Sequence, residues 1–143
     1  MLYFCRKSKM IEARDLRIGN WVIKVTGEDL DGNLMGDTVQ LIEVVNSSPS
    51  FKASIDLTPE WLERFGFEKK IKEQNIDGVE YILRLDDSEG RDGSWFSSVG
   101  TLVEGEVVVL CLCRGNYFCN NVEHVHQLQN LYFALTGKEL QLT

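Results

Sequence analysis

Residues 56–69 read DLTPEWLERFGFEK and carry a full set of helix start and stop signals. Thr58 is the candidate N-cap, because its hydroxyl can accept from an orphan N–H of the first turn. Pro59 follows at the first helical position, where a missing N–H costs nothing. Glu60 lies where the helix dipole favours a carboxylate. Leu57 and Leu62 have the spacing of a hydrophobic staple. Gly66 is a left-handed stop, and Phe67 is the apolar residue that accompanies a Schellman ending. The spacing predicts a short helix between Thr58 and Gly66, with Trp61 and Phe65 sharing its inward face.

On both sides of this helix the patterns are those of strands. DLRIGNWVIKVTG (15–27) places Leu16, Ile18, Val22 and Val25 at apolar positions, with Gly19-Asn20 marking a bend or bulge. EDLDGNLMGD (28–37) is a polar turn in which Asp31-Gly32 and Gly36 supply the left-handed positions. TVQLIEVV and FKASI continue the strands, so residues 15–57 read as a meander or a small half-open barrel. Beyond the helix, KKIKEQNIDGVEYILRL is a hairpin around Asp77-Gly78, and WFSSVGTLV and EVVVLCLC supply more strand. The unbroken apolar run from Val107 to Leu112 predicts a strand covered on both faces.

A second helix closes the chain. Asn120 and Glu123 fit a capping box, Val125, Leu128, Leu131, Tyr132 and Leu135 recur at helical spacing, and Gly137 ends the run. The fold class is therefore α+β: mainly antiparallel sheets, a small N-terminal β lobe, one short middle helix and one C-terminal helix. The expected organisation is an N-terminal extension (1–9), a β lobe (10–57) and an α+β lobe (58–143) packed with it as one compact unit. MIEARDLRIGN reads as a natural start at Met10, which would make residues 1–9 an appended segment.

The chain has 143 residues and a net charge of −7, with 43% hydrophobic and 26% charged residues. That length supports a sizeable core without a metal or a disulfide. Charge is uneven: residues 1–20 carry +3, 21–66 carry −5, 67–100 carry −3 and 101–143 carry −2. The acidic body argues against nucleic-acid binding by the whole surface. The exception would be a basic arm of Arg6, Lys7, Lys9, Arg14 and Arg17. Four cysteines without a secretory leader read as reduced thiols of a cytoplasmic protein. VVVLCLC is too short to span a bilayer, so no membrane association is expected.

The candidate chemistry gathers near the second helix. Cys113, Cys119, His124 and His126 supply the soft ligands that zinc takes, but their spacing matches no paired-cysteine pattern. On a continuous helix His124 and His126 would point about 200° apart. A Cys119–His126 nucleophile–base pair is the corresponding thiol-enzyme reading. Against both stands the ordinary role of free cysteine as a core residue. A calcium loop beginning at Asp29 would need glycine at 34 and glutamate at 40, where Leu34 and Gln40 stand. No phosphate-binding loop, nucleophile elbow or zinc-protease motif occurs. No catalytic residue, metal or cofactor is assigned. Trp95 and Phe96 are the interaction candidates, since aromatics concentrate at interface centres, and the same pair could equally fill the core.

Three blocks, EARDLRIGNWV (12–22), DLTPEWLERFGFEK (56–69) and VHQLQNLYFALTGKEL (125–140), together resemble a family of small proteins encoded by phages, prophages and mobile elements of gut anaerobes. The family starts near EARDLRIGN, in line with Met10. The resemblance brings no catalytic residue or ligand with it. What it implies is a non-enzymatic accessory or interaction module, acting in the bacterial cytoplasm on a protein partner or on a second copy of itself. The alternatives are the zinc or thiol chemistry above and nucleic-acid association through the basic arm.

Overall fold

The computed structural model describes residues 2–4, 10–41, 52–71, 79–85, 93–98, 110–114 and 117–143. The protein is α+β: the described residues form two antiparallel sheets and two α-helices. It divides into two compact units, one of residues 1–56 with 124–130, the other of residues 57–123 with 131–143. The chain thus leaves the first unit after Asp56 and returns to it at His124.

In the first unit, strands β1 (Leu2–Phe4), β2 (Trp21–Glu28), β3 (Leu34–Gln40) and β4 (Lys52–Ala53) form a sheet in the order β1-β3-β2-β4. β4 pairs with β2, not with β3, so the lobe is not a simple meander. Residues 2–4 of the expected extension form an edge strand on β3. Strand β2 begins only at Trp21. Ahead of it come a 3-10 turn (Ala13–Asp15) and a turn at Ile18-Gly19, where Gly19 has φ 94°. Ile18 is accordingly exposed, and the bulge lies further along, between Val25 and Gly27. Val22, Ile23, Ala53 and Ile55 are wholly buried in this unit, as are Val125 and Leu128.

Gly36 also differs from its sequence reading. It is no left-handed turn residue but a buried member of β3 opposite Val25. Its need for glycine is one of space: a Cβ there would run into the Lys24 carbonyl.

The second unit opens with helix α1 (Pro59–Arg64), capped as its sequence dictates. Trp61 N–H donates to Thr58 Oγ1 at 3.4 Å. At the other end Phe67 N–H reaches the Leu62 carbonyl and Gly66 N–H the Glu63 carbonyl, both at 3.0 Å, with Gly66 at φ 84°. Those two bonds define a Schellman ending. Trp61 and Phe65 stack at 5.7 Å. The sheet that follows runs β5-β6-β7-β8-β9 in chain order: β5 (Glu68–Ile71), β6 (Val79–Arg84), β7 (Ser94–Ser98), β8 (Leu110–Arg114) and β9 (Tyr117–Val122). Leu110 to Cys113 are all buried, as an apolar run without alternation requires. The turns at 77–78 and 115–116 lie outside the described residues.

Helix α2 (Val125–Thr136) contributes its first half to the first unit and its second half to the second. Gly137 ends it at φ 70°, its N–H donating to the Phe133 carbonyl at 2.8 Å. No helix among the described residues is long and apolar enough to cross a membrane.

Candidate functional site

The cluster with the most polar chemistry forms where the chain re-enters the first unit. His124 lies in extended backbone and makes an isolated antiparallel bridge with Asp56. Beside it Val125 N–H donates to the Ile55 carbonyl at 2.9 Å. The expected start of α2 near Asn120 is therefore wrong. Asn120 belongs to β9, whose pairing with β8 holds the backbone extended as far as Val122. His124 takes the cap position instead. Its carbonyl accepts from Leu128 N–H at 3.1 Å, and its own N–H donates to Gln127 Oε1 at 3.2 Å. Gln127 thus closes the return arm of a capping box from the third helical position.

This cap also changes how the histidines relate. Only His126 is helical. Extended backbone at His124 turns its ring toward that of His126, and the two stack 6.0 Å apart at 11° between planes. The 200° separation that a continuous helix would impose does not arise. His124 Nδ1 stands 3.1 Å from Asp56 Oδ1, close enough for an ion pair when the imidazole is protonated. It is not aligned for a hydrogen bond, and His126 Nδ1 is buried with no partner. Burial holds the His126 imidazole well below its usual range, at about 4. The neighbouring His124 pushes the same way and Asp15 opposes both.

His126 shares a helix face with Gln129 and Asn130, three and four residues on. Both amides bind the segment that enters β2. Trp21 N–H donates to Gln129 Oε1 at 2.8 Å, and Gln129 Nε2 donates to the Gly19 carbonyl at 2.9 Å. Asn20 Nδ2 donates to Asn130 Oδ1 at 2.9 Å, and Asn130 Nδ2 donates to the Asp15 carbonyl at 2.8 Å. Asn20 Oδ1 in turn accepts from Arg17 N–H at 2.7 Å. Asn20 and Gln129 are almost wholly buried. A polar residue among apolar ones at a core-facing helix position was the available signal for Gln129.

The other candidates lie in the second unit. Cys113 is buried in β8, its thiol donating to the Cys111 carbonyl at 3.8 Å. Cys119 sits opposite Leu112 in β9, and its side chain lies outside the described residues. Among the described residues no three His, Cys, Asp or Glu side chains converge as metal ligands would. Phe96 is wholly buried in β7. Its neighbour Trp95 is half-buried, with the Arg84 guanidinium 6.0 Å from its ring centre. Of the basic arm, Arg14 pairs with Glu12 at 2.7 Å, and Arg6, Lys7 and Lys9 lie outside the described residues.

The remaining feature is the β2–β3 hairpin. Its turn is tied by Asp29, whose carboxylate accepts from the N–H groups of Asp31 and Asn33 and from Asn33 Nδ2, each at 2.9 Å. The Asn33 bonds hold the Asp29 carboxyl below its ordinary range. Residues 29–33 are thus a hydrogen-bonded turn, and Leu30 on it is fully exposed. Comparison with protein-family models, with curated proteins and with solved structures gave no match.

Proposed function

We propose that the protein is a non-enzymatic interaction module of phage or mobile-element origin, working in the bacterial cytoplasm through a protein partner or a second copy of itself. The origin rests on the resemblance of the three sequence blocks. The observation that carries the binding role is Leu30. It is a large apolar side chain left wholly in water on a turn whose own carboxylate spends three hydrogen bonds on keeping its shape. A preformed turn loses little entropy on docking. Glu28 and Asp31 flank it with negative charge, so the fitting partner is an apolar socket with a basic rim. By contrast, Asn20, Gln129 and Asn130 are occupied with one another and with backbone.

A photoreactive residue at position 30, illuminated in a bacterial host, tests this. A discrete cross-linked species is expected, and it should vanish when the photoreactive residue is moved to Lys24 on the same strand pair. A product of twice the chain mass identifies self-association. No product at position 30, together with a monomer in sedimentation, rejects the reading. The zinc or thiol alternative draws on the unpartnered Nδ1 of His126. Elemental analysis separates the two, since about one zinc per chain would be the alternative's signature.

A further inference from the structure

The second unit holds an open cleft of about 250 Å³ that none of the readings above uses. Arg114, the last residue of β8, stands on one side and Lys138, just past the stop of α2, on another. Tyr132 lines it from the helix and Ser94 from the start of β7, where Ser94 is the register partner of Arg114. Leu85 and Leu135 supply the apolar surface. Among the described residues no acidic side chain lines the cleft, in a chain of net charge −7. Arg114 and Lys138 are the only two cations between residues 101 and 143, and both lie here.

We propose that this cleft binds a small organic monocarboxylate. Lys138 alone would argue for little, because a cation just past a helix C-terminus offsets the negative end of the dipole. Arg114 ends a strand and has no such duty. Its planar fork matches a carboxylate and can hold both oxygens. The Tyr132 hydroxyl offers a further donor. Leu85 and Leu135 then face the rest of the ligand, which should be a short apolar tail. Drug-sized pockets run to roughly 300–1,000 Å³, so the ligand is smaller than those occupants. One charge fits better than two, because the chain as a whole is acidic.

The test is a titration of the full chain with sodium hexanoate, followed by amide and arginine side-chain NMR at constant ionic strength. Hexanol and inorganic phosphate are the controls. Saturable shifts at Ser94, Arg114 and Lys138 are expected with hexanoate. Hexanol should give none, and phosphate should bind more weakly than hexanoate. Arg114→Met and Lys138→Met, both at exposed positions, should each weaken hexanoate binding about tenfold, the loss of one charge-assisted hydrogen bond. Their spectra away from the cleft should be unchanged. The proposal is overturned if hexanoate gives no saturable shift or if hexanol matches it. It is equally overturned if Arg114→Met binds as well as the parent. The stretch between Leu85 and Ser94 carries Asp86, Asp87, Glu89 and Asp92. If binding emerges only when those four are neutralised, the cations serve the chain's own carboxylates and the proposal fails.

Discussion

Gln129 and Trp21 are joined by a 2.8 Å hydrogen bond in which a side-chain amide stands in for a neighbouring strand. Gln129 accepts from the N–H of Trp21 and donates to the carbonyl of Gly19, the two backbone groups that flank Asn20. Asn130 holds Asn20 itself. The entry to β2 is therefore fixed from the helix, and two sequence blocks more than a hundred residues apart are partners in one network.

Replacing Gln129 with Met keeps length and apolar bulk but strips both bonds. The Gly19 carbonyl still accepts from Gln40 Nε2 at 3.1 Å, so it keeps a partner. Trp21 N–H loses its 2.8 Å bond to Gln129. One hydrogen bond contributes a net of about 0.5–1.5 kcal/mol. Gln129→Met should lower unfolding stability by that amount and speed amide exchange at Trp21 more than at Val22. Equal protection at Trp21 in parent and variant would show that the amide bond carries no weight.

His126 makes stability depend on pH. Its folded value is about 4, below the ordinary 6.5, so between those values the unfolded chain binds the proton more readily. Stability is complete above about pH 7 and falls as pH drops from 6.5 toward 4. At 1.36 kcal/mol per unit the loss approaches about 3 kcal/mol. Urea midpoints across this range should show the slope, and His126→Gln should flatten it. An imidazole resonance of His126 titrating near 6.5 in the folded protein would refute the premise.

Local signals were legible where their partners are local. The α1 helix is readable from Thr58 to Phe67 because its N-cap and its Schellman bonds lie within that stretch, although the Arg64 carbonyl also accepts from the distant Thr143 N–H at 2.7 Å. The same holds for the Gly137 stop. The start of α2 is not readable, because β9 takes residues 117–122 through its pairing with β8, and Asn120 lies at the register shift within that strand. The histidines were misjudged for the same reason: their relation depends on where the helix begins. Gln129 and Asn130 were overlooked because their partners lie 108 to 115 residues away, beyond the reach of any spacing rule.

The cap of α1 and its burial can be weighed against each other. A six-residue helix has little stability of its own. The Thr58 bond is long at 3.4 Å, so Thr58→Ala should cost only about 0.5–1 kcal/mol. Leu62 is wholly buried, and Leu62→Ala should cost about 2–5 kcal/mol. Denaturant unfolding of both variants checks the order. A larger loss for Thr58→Ala would mean that the cap, not the packing, holds the helix.

Gly36 and Gly27 sit on paired strands of the same hairpin and should respond in opposite senses. A Cβ at Gly36 would strike the Lys24 carbonyl, which is backbone and cannot swing aside. Gly36→Ala must push β2 and β3 apart, and overpacking of this kind costs about 1–3 kcal/mol or more. At Gly27 a Cβ meets nothing within 4 Å, and its φ is not left-handed. Gly27→Ala should therefore stabilise by about 0.4–1 kcal/mol, through the reduced freedom of the unfolded chain. Because Leu30 lies on the turn of this hairpin, Gly36→Ala should also lose the position-30 cross-link while Gly27→Ala keeps it. Thermal unfolding and cross-linking of the two variants test the structural and functional halves together, and a harmless Gly36→Ala would contradict the close β2–β3 approach on which both depend.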